Sequence, residues 1–317
     1  MKVFLAGGAG AVGRPLIRQL RAAGHEVIAT TRSTSKAGVL RDLGAEPVVV
    51  DVFDASRLVE AVLAARPDAV INQLTDLPQS MDPRQLQQIY AKNNRVRREG
   101  TANLLDAAEA AGVRRFVTQS MATWYRPEGG AIKTEQDPLW TGAPEPIGEA
   151  VRIVEQMEAD VLRRMPLGVI LRYGGFYGPA TWYAADGEIA VRMRSRGFPI
   201  VGRGEGITSF VHVEDAASAA VAALTASAPG VYNVADDEPA PAADWIPAYA
   251  AALGAPKPWK VPAFAARLAL GGAMTEWLTT MRGASNAAIK ATFGWRPSYP
   301  SWRTGFTAIA GGRHPDE

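Results

Sequence analysis

The stretch "KVFLAGGAGAVGRPLIRQL" (2–20) constrains the fold more than any other part of the chain. A short apolar run with the character of a buried strand gives way to glycines, and these give way to apolar residues at helical spacing. Glycine has a physical use at each place. Gly7 permits a tight turn out of the strand, Gly10 lets the backbone approach a pyrophosphate, and Gly13 lets helix and strand pack closely. The loop N–H groups from Gly7 and Gly10 through Ala11, Val12 and Gly13, with the helix dipole behind them, then favour an anion. Three glycines alone are a weak motif; between a buried strand and a helix they are a strong one.

The alternation continues. "EVIAT" (26–30), "PVVVD" (47–51), "DAVIN" (68–72), "RRFVTQS" (114–120) and "LGVILRY" (167–173) read as buried parallel strands. Helical patterns such as "PLIRQLRAAG", "ASRLVEAVLAA" and "TANLLDAAEAAG" lie between them. Strand–helix alternation over about 170 residues implies an α/β fold, a doubly wound parallel sheet (Rossmann) with right-handed crossovers. A dinucleotide-binding domain is expected over 1–174, with 206–236 returning to it, and a smaller, mainly substrate-binding subdomain over 175–317. The latter should contain strands in "FPIVGRG" and "SFVHVEDAA" and helices near 214–227, 242–253 and 262–280. It should fold over the carboxyl edge of the sheet, where open α/β sheets bind ligands.

The strand ends carry the cofactor expectations. "ATTRSTSK" (29–36) has no carboxylate for the adenosine ribose; it offers Thr31, Arg32, Ser33 and Lys36. Cations beside hydroxyls suit a 2′-phosphate, so NADP(H) is the expected cofactor. Asp51 and Val52 follow the third strand and are expected beside the adenine. Gln73, Leu74 and Thr75, in "NQLTD", end the fourth strand beside the expected ribose and nicotinamide.

A chain of 317 residues with formal charge +2 can bury a large core and has no electrostatic reason to seek a polyanion. The densest basic run, "NRVRREG" (94–100), reads as the solvated face of a helix. With no cysteine, disulfides, thiolate catalysis and iron–sulfur ligation are excluded, which fits the reducing cytoplasm. His25, His212 and His314 show no ligand spacing, so no metal is expected. The N-terminus reads as a strand rather than a signal peptide, and no stretch has the apolar length of a membrane span. The expected partner is a small molecule, with neither nucleic acid nor membrane; a homodimer is left open.

Further segments, "EGTANLLDAAEAAGVRRFVTQS" (99–120), "LRYGGFYGP" (171–179), "FVHVEDAA" (210–217), "GVYNVADDEP" (230–239) and "SNAAIKATFGWRPSYPSWRTGF" (285–306), join "GGAGAVG" in a pattern covering nearly the whole chain. That pattern resembles the extended short-chain dehydrogenase/reductases of the NAD-dependent epimerase/dehydratase type. "ATTRS" is similar to the strand-two end of NADPH-dependent members such as dihydroflavonol reductases. The resemblance implies the fold and a nicotinamide cofactor. It is less specific for the reaction, because the fold hosts reductases, epimerases, dehydratases and cofactor sensors. It also implies a centre of Ser or Thr after the fifth strand and a Tyr-x-x-x-Lys helix. There the Tyr moves the proton, while the Lys lowers its pKa and holds the nicotinamide ribose.

The chain departs from that centre. Met121 falls at the Ser/Thr position, and Ala150 and Val154 fall at the Tyr and Lys positions. Asn94 lies six residues before Gly100, whereas the family's helix-four Asn lies three before the matching glycine. Replacement side chains are available nearby. Ser120 adjoins Met121, although neighbours on a strand point to opposite faces. Tyr125 lies on the loop expected to rim the nicotinamide pocket; Tyr173, after the sixth strand, is expected to contact the carboxamide through its backbone. Lys133 and Glu135 are placed to reach inward, and Tyr177, Trp182, Tyr183, Phe198, Trp245 and Trp277 are candidates for pocket or core.

An unperturbed Tyr has a pKa near ~10, so losing the Lys handicaps an oxidation that needs phenolate. A reduction needs a donor, which a neutral phenol or water supplies. The expectation is therefore an NADPH-dependent reductase of a small or medium carbonyl or imine compound, with Tyr125, assisted by Ser120, as proton donor. The alternatives are a redox-neutral epimerase, dehydratase or isomerase retaining NADP(H), and a non-catalytic dinucleotide-sensing regulator.

Overall fold

Val3, Phe4 and Leu5 are wholly buried, and so are Ala69, Val70 and Ile71 beside them. A strand can be apolar at every position only where the sheet is covered on both faces, as in doubly wound parallel sheets. The computed structural model describes residues 1–78 and 86–311, so His314 lies outside the described residues. Seven strands form one sheet: β1 (Lys2–Ala6), β2 (Glu26–Thr31), β3 (Glu46–Val49), β4 (Ala69–Asn72), β5 (Arg115–Met121), β6 (Leu167–Tyr173) and β7 (Gly230–Val234). Their order is β7-β6-β5-β4-β1-β2-β3, and every pair is parallel. The winding reverses between β1 and β4. Ligands bind such sheets outside the carboxyl ends of the strands at that reversal.

Helices cover both faces. On one side α1 (Gly13–Ala22), Leu40 of α2 (Thr34–Asp42) and the helix Val213–Ala223 share a core with Val3, Leu5, Val117 and Leu171. On the other, α3 (Ala55–Ala65), α5 (Thr101–Ala110) and α6 (Ile147–Arg164) pack on Phe4, Val70, Phe116 and Ile170. Helix α4 (Leu86–Arg95) runs into α5 through one π-helical turn, Val96–Gly100. Such turns insert a residue into an α-helix and are frequent at functional sites. The helix expected across 262–280 is two helices, Ala263–Leu270 and Gly272–Thr280, broken at Gly271 with φ +81°.

The C-terminal part has its own core, in which Phe210 meets Tyr177, Tyr183, Trp245 and Phe306 edge to face, and Tyr249 and Trp302 pack at a tilt on Phe306. This corrects a candidate pocket wall. Tyr177, Trp182, Tyr183, Phe198 and Trp245 belong to that core, and of the six aromatics only Trp277 packs against the carboxyl end of β5. No helix among the described residues is long and apolar enough to cross a membrane.

Candidate active site

The glycine loop is built for close approach. Gly7 has φ +90°, and a Cβ there would lie 2.6 Å from the Gln73 carbonyl oxygen. A Cβ on Gly13 would lie 2.3 Å from the Gly7 carbonyl oxygen, so strand and helix meet with no room for a side chain. Gly10 differs: its Cβ would meet only the Gly7 carbonyl oxygen, at 3.3 Å. The space beyond Gly10 is open, and no acidic residue stands in the first turn of α1 to repel an anion. The loop fits a pyrophosphate.

At the end of β2, Thr31 is buried and its hydroxyl accepts from the Ser33 backbone N–H at 3.2 Å, fixing the turn into α2. Arg32 projects outward, with 54% of its side chain exposed, and meets Asp76 at 3.5 Å. So long and exposed an ion pair is weak, which leaves the guanidinium available to a phosphate. Lys36 is exposed on the first turns of α2. Asp51 accepts from the Phe53 N–H at 3.0 Å, and Val52 is buried against Gly100. Gln73 is buried, its Nε2 donating to the Tyr173 hydroxyl at 3.2 Å while its Oε1 has no partner. Leu74 is tied through its N–H to Asn72 at 3.1 Å, and Thr75 is exposed. Tyr173 turns its ring into the sheet core; its hydroxyl donates to the Ala216 carbonyl at 3.1 Å and its own carbonyl accepts from Ala122 at 2.9 Å. The Tyr173 hydroxyl is thus spent within the protein, while its carbonyl, which accepts from Ala122, keeps a second lone pair.

The N-terminal half of the inner face of α6 is apolar, and Glu158 farther along is the one buried ionisable group of the helix. Ile147, Ala150, Val151 and Val154 are all buried, packed with Ala122, Trp124 and Tyr125. Neither Ala150 nor Val154 is ionisable; at i+4 from Val154 stands Glu158, whose carboxylate is taken up by Ser120 and Arg172.

The replacement hydroxyls lie in a closed network beneath that face. Ser120 points toward α6 and donates to Glu158 Oε1 at 2.5 Å. Arg172, its neighbour across the β5–β6 pairing, grips Glu158 with Nε at 2.9 Å and NH2 at 2.5 Å. Its remaining nitrogen, NH1, donates to the Tyr125 hydroxyl at 2.9 Å, and that hydroxyl donates to Asn233 Oδ1 at 2.7 Å. Glu135 closes the chain by accepting from the Asn233 backbone N–H at 2.7 Å. Burial opposes the Arg172 charge, but the Glu158 hydrogen bonds and charge outweigh it and raise its pKa. Burial likewise raises the Tyr125 phenol. Tyr125 is 2% exposed and Ser120 5%. The reach expected of Tyr125 into an open pocket is therefore corrected: its O–H is committed to Asn233, and Ser120 is committed to a carboxylate. Lys133 is buried as well, held by the Glu128 carbonyl and by Asp137.

What the sequence reading overlooked lies on α4. Asn72 donates to Thr101 at 3.1 Å, Asn93 accepts from the Asp76 N–H at 3.1 Å, and Arg97 NH2 lies 3.0 Å from Met121 Sδ. The first of these contacts ties the start of α5 to the end of β4, and the other two hold α4 and its π turn against the segment after β4 and the end of β5. Helix α4 and its π turn carry buried atoms without partners, Asn94 Nδ2 and Oδ1 and Arg97 NH1, and so do Gln73 Oε1 after β4 and Thr123 Oγ1 after β5. The basic run "NRVRREG" is thus only partly a solvated face. Arg95 and Arg98 are exposed, whereas the Arg97 guanidinium turns inward over the Trp124 ring, 4.8 Å from its centroid. Burial lowers the Arg97 pKa to about 10 and raises that of neighbouring Tyr90 to about 12. The signal was in the spacing: three residues before Gly100, where the related helix carries Asn, stands Arg97.

A sequence profile of the NAD dependent epimerase/dehydratase family matches residues 3–235. A 3-diazoavenalumate denitrifying reductase from Streptomyces sp. is 45% identical over 96% of this chain and 99% of its own length. A 2-alkyl-3-oxoalkanoate reductase from Stenotrophomonas maltophilia is 27% identical over 86% of this chain and 81% of its own. Among solved structures, the UDP-glucose 4-epimerase of Thermotoga maritima with UDP-glucose superposes with TM-score 0.77 at 20% identity, covering 98% of both chains. The human epimerase family protein SDR39U1 with NADPH superposes with TM-score 0.75 at 22% identity, covering 98% of this chain and 99% of that one.

Proposed function

We propose that this chain, which belongs to the NAD-dependent epimerase/dehydratase family, is an NADPH-dependent reductase whose substrate accepts hydride without a phenol to protonate it. The observation that carries the reading is the apolar inner face of α6, with Ser120 and Tyr125 locked beneath it. NADPH, when bound, supplies the hydride. The loop from Gly7 to Gly13 would hold its pyrophosphate. Arg32, Ser33 and Lys36 would hold the 2′-phosphate, with Thr31 fixing their turn, and Asp51 and Val52 would border the adenine.

The substrate class follows from the missing donor. A carbonyl that gains hydride becomes an alkoxide and calls for a proton. An aryldiazonium cation that gains one hydride becomes a neutral diazene, which leaves as arene and dinitrogen with its hydrogen moved to carbon. Charge and atoms balance with no proton delivered. The similar Streptomyces protein, named for a diazo substrate and for denitrification, supports this acceptor over the carbonyl or imine first expected. Here the residues bind and shield: Trp124, Tyr125 and the α6 face exclude water, and the Arg172–Glu158 pair keeps the loop after β5 in place.

The test is an anaerobic assay of the purified protein with NADPH and 4-carboxybenzenediazonium, following NADPH absorbance and dinitrogen together. One dinitrogen per NADPH consumed is the expected stoichiometry. Consumption with a panel of 3-oxo acids but none with the diazonium would overturn the acceptor and restore the carbonyl reading.

A further inference from the structure

Two arginines bring their guanidinium groups into the interior near the end of β5. Arg172 has a carboxylate on two of its nitrogens. Arg97 has none: among the described residues it makes no ion pair, its NH1 is buried without a partner, and its NH2 has only a thioether sulfur. Its stem borders a groove of about 220 Å³ between α5 and α6 that also includes Glu149 and Asp160, yet neither carboxylate pairs with it. Arg97 as a whole is half-buried, but its NH1 is shut off from water, and a charge withdrawn from water without a counter-charge is costly. Buried polar groups left unpaired in a folded protein therefore call for an account, such as a ligand.

Resting on the reductase reading, we propose that Arg97 anchors the carboxylate of an aromatic substrate at the position where the family's Ser or Thr would stand. The surroundings select both halves of that description. Met121 at this position cannot hold an alcohol or carbonyl, and Arg97 NH2 lies against its sulfur. Thr123 Oγ1, next in the chain to the Trp124 under the guanidinium, is a further buried donor without a partner, and an acceptor-only group such as carboxylate suits both it and NH1. One guanidinium with neutral donors matches a single negative charge better than a phosphate. The walls are aromatic: Trp124 stacks under the guanidinium, Trp277 donates its Nε1 to the Thr123 carbonyl at 3.2 Å, and Tyr90 packs on the same cluster.

Titration calorimetry on the NADP⁺-loaded protein tests this with trans-cinnamate, an aryl carboxylate, and trans-cinnamamide, its neutral counterpart. Cinnamate should bind at least tenfold more tightly. In Arg97→Met that preference should vanish while NADPH affinity stays within twofold, and Arg97→Lys should retain part of it. Because Arg97 has no ion-pair partner among the described residues, Arg97→Met should melt within a few degrees of the parent. Equal binding of the two compounds by the parent, or an intact preference in Arg97→Met, would overturn the proposal; the parent comparison decides even if the variant does not fold. Cinnamate need not be reduced, so failure of the reductase reading would appear in the NADPH assay and not in this titration.

Discussion

Arg172 and Arg97 stand on either side of the β5 terminus, and the difference between them separates structure from function at this site. Arg172 comes from the sheet and meets Glu158 from α6, so its charge is neutralised within the fold and its third nitrogen orients Tyr125. Arg97 comes from a π turn and meets sulfur, an aromatic face and an unfilled donor position. A buried network whose charges are paired rigidifies what it joins, even with Asn233 Nδ2 left without a partner, whereas an unpaired guanidinium has donors to give to a ligand. The family's usual centre would have placed a phenol and an ammonium on α6. In this chain the apolar stretch of α6 packs on Trp124 and Tyr125, and unpartnered buried polar atoms stand on α4 and its π turn, at Gln73 after β4 and at Thr123 after β5.

If that division holds, changes on the closed side move stability and changes on the open side move ligand binding. The largest effect should come from Glu158→Ala, which leaves Arg172 buried and unpaired. A loss of about 3–5 kcal/mol is expected, read as a lowered midpoint in denaturant titration; a loss below 1 kcal/mol would show that the pair does not hold the site together. Next is Arg32→Ala on the open side. Removing one charge-assisted phosphate contact costs about 1.5–3 kcal/mol, so the preference for NADPH over NADH should fall at least tenfold while the melting temperature stays put. An unchanged ratio would remove Arg32 from the cofactor site.

A paired and an unpaired carboxyl repeat the contrast farther out. Asp215 accepts from the Ser298 and Tyr299 N–H groups at 2.7 and 2.9 Å; Asp236 accepts from Glu238 at 3.2 Å and leaves Oδ2 without a partner. Burial pushes Asp236 from 3.8 up to about 8. The folded pKa lies above the unfolded one, so this stabilisation is complete below the unfolded value and is lost as pH rises through the folded value. Stability should fall by roughly 1 kcal/mol per unit between pH 5 and pH 7 on account of this group. Asp236→Asn should flatten that slope in thermal melts across the range, and an unchanged slope would assign it elsewhere. The smallest effect is expected of Tyr125→Phe. Losing a neutral hydroxyl in the closed network costs about 1 kcal/mol of stability, and turnover should remain within a few-fold. A tenfold drop in turnover with no change in stability would break the comparison, because it would make Tyr125 a proton donor after all.

The fold was legible because it rests on local rules. Continuous apolar runs such as "KVFLA" and "DAVIN" mark strands covered on both sides, and Gly7 and Gly13 mark places where a Cβ meets backbone at 2.6 and 2.3 Å. The side chains of Met121, Ala150 and Val154 were legible in the same way: none carries a proton to give. The fate of the nearby polar groups was not. Ser120 and Tyr125 are committed by partners 38 and 108 residues away in sequence, Glu158 and Asn233, and no local pattern records a hydrogen bond across such distances. Arg97 was hidden in the opposite way. It reads as one charge in a basic run until the π turn rotates it off the solvated face, and a shift in helical phase depends on what the helix packs against. Residue type and spacing determined the scaffold and what the chain lacks. Tertiary packing decided which charges found a partner, because pairing is a contest among side chains brought together only when sheet and helices close.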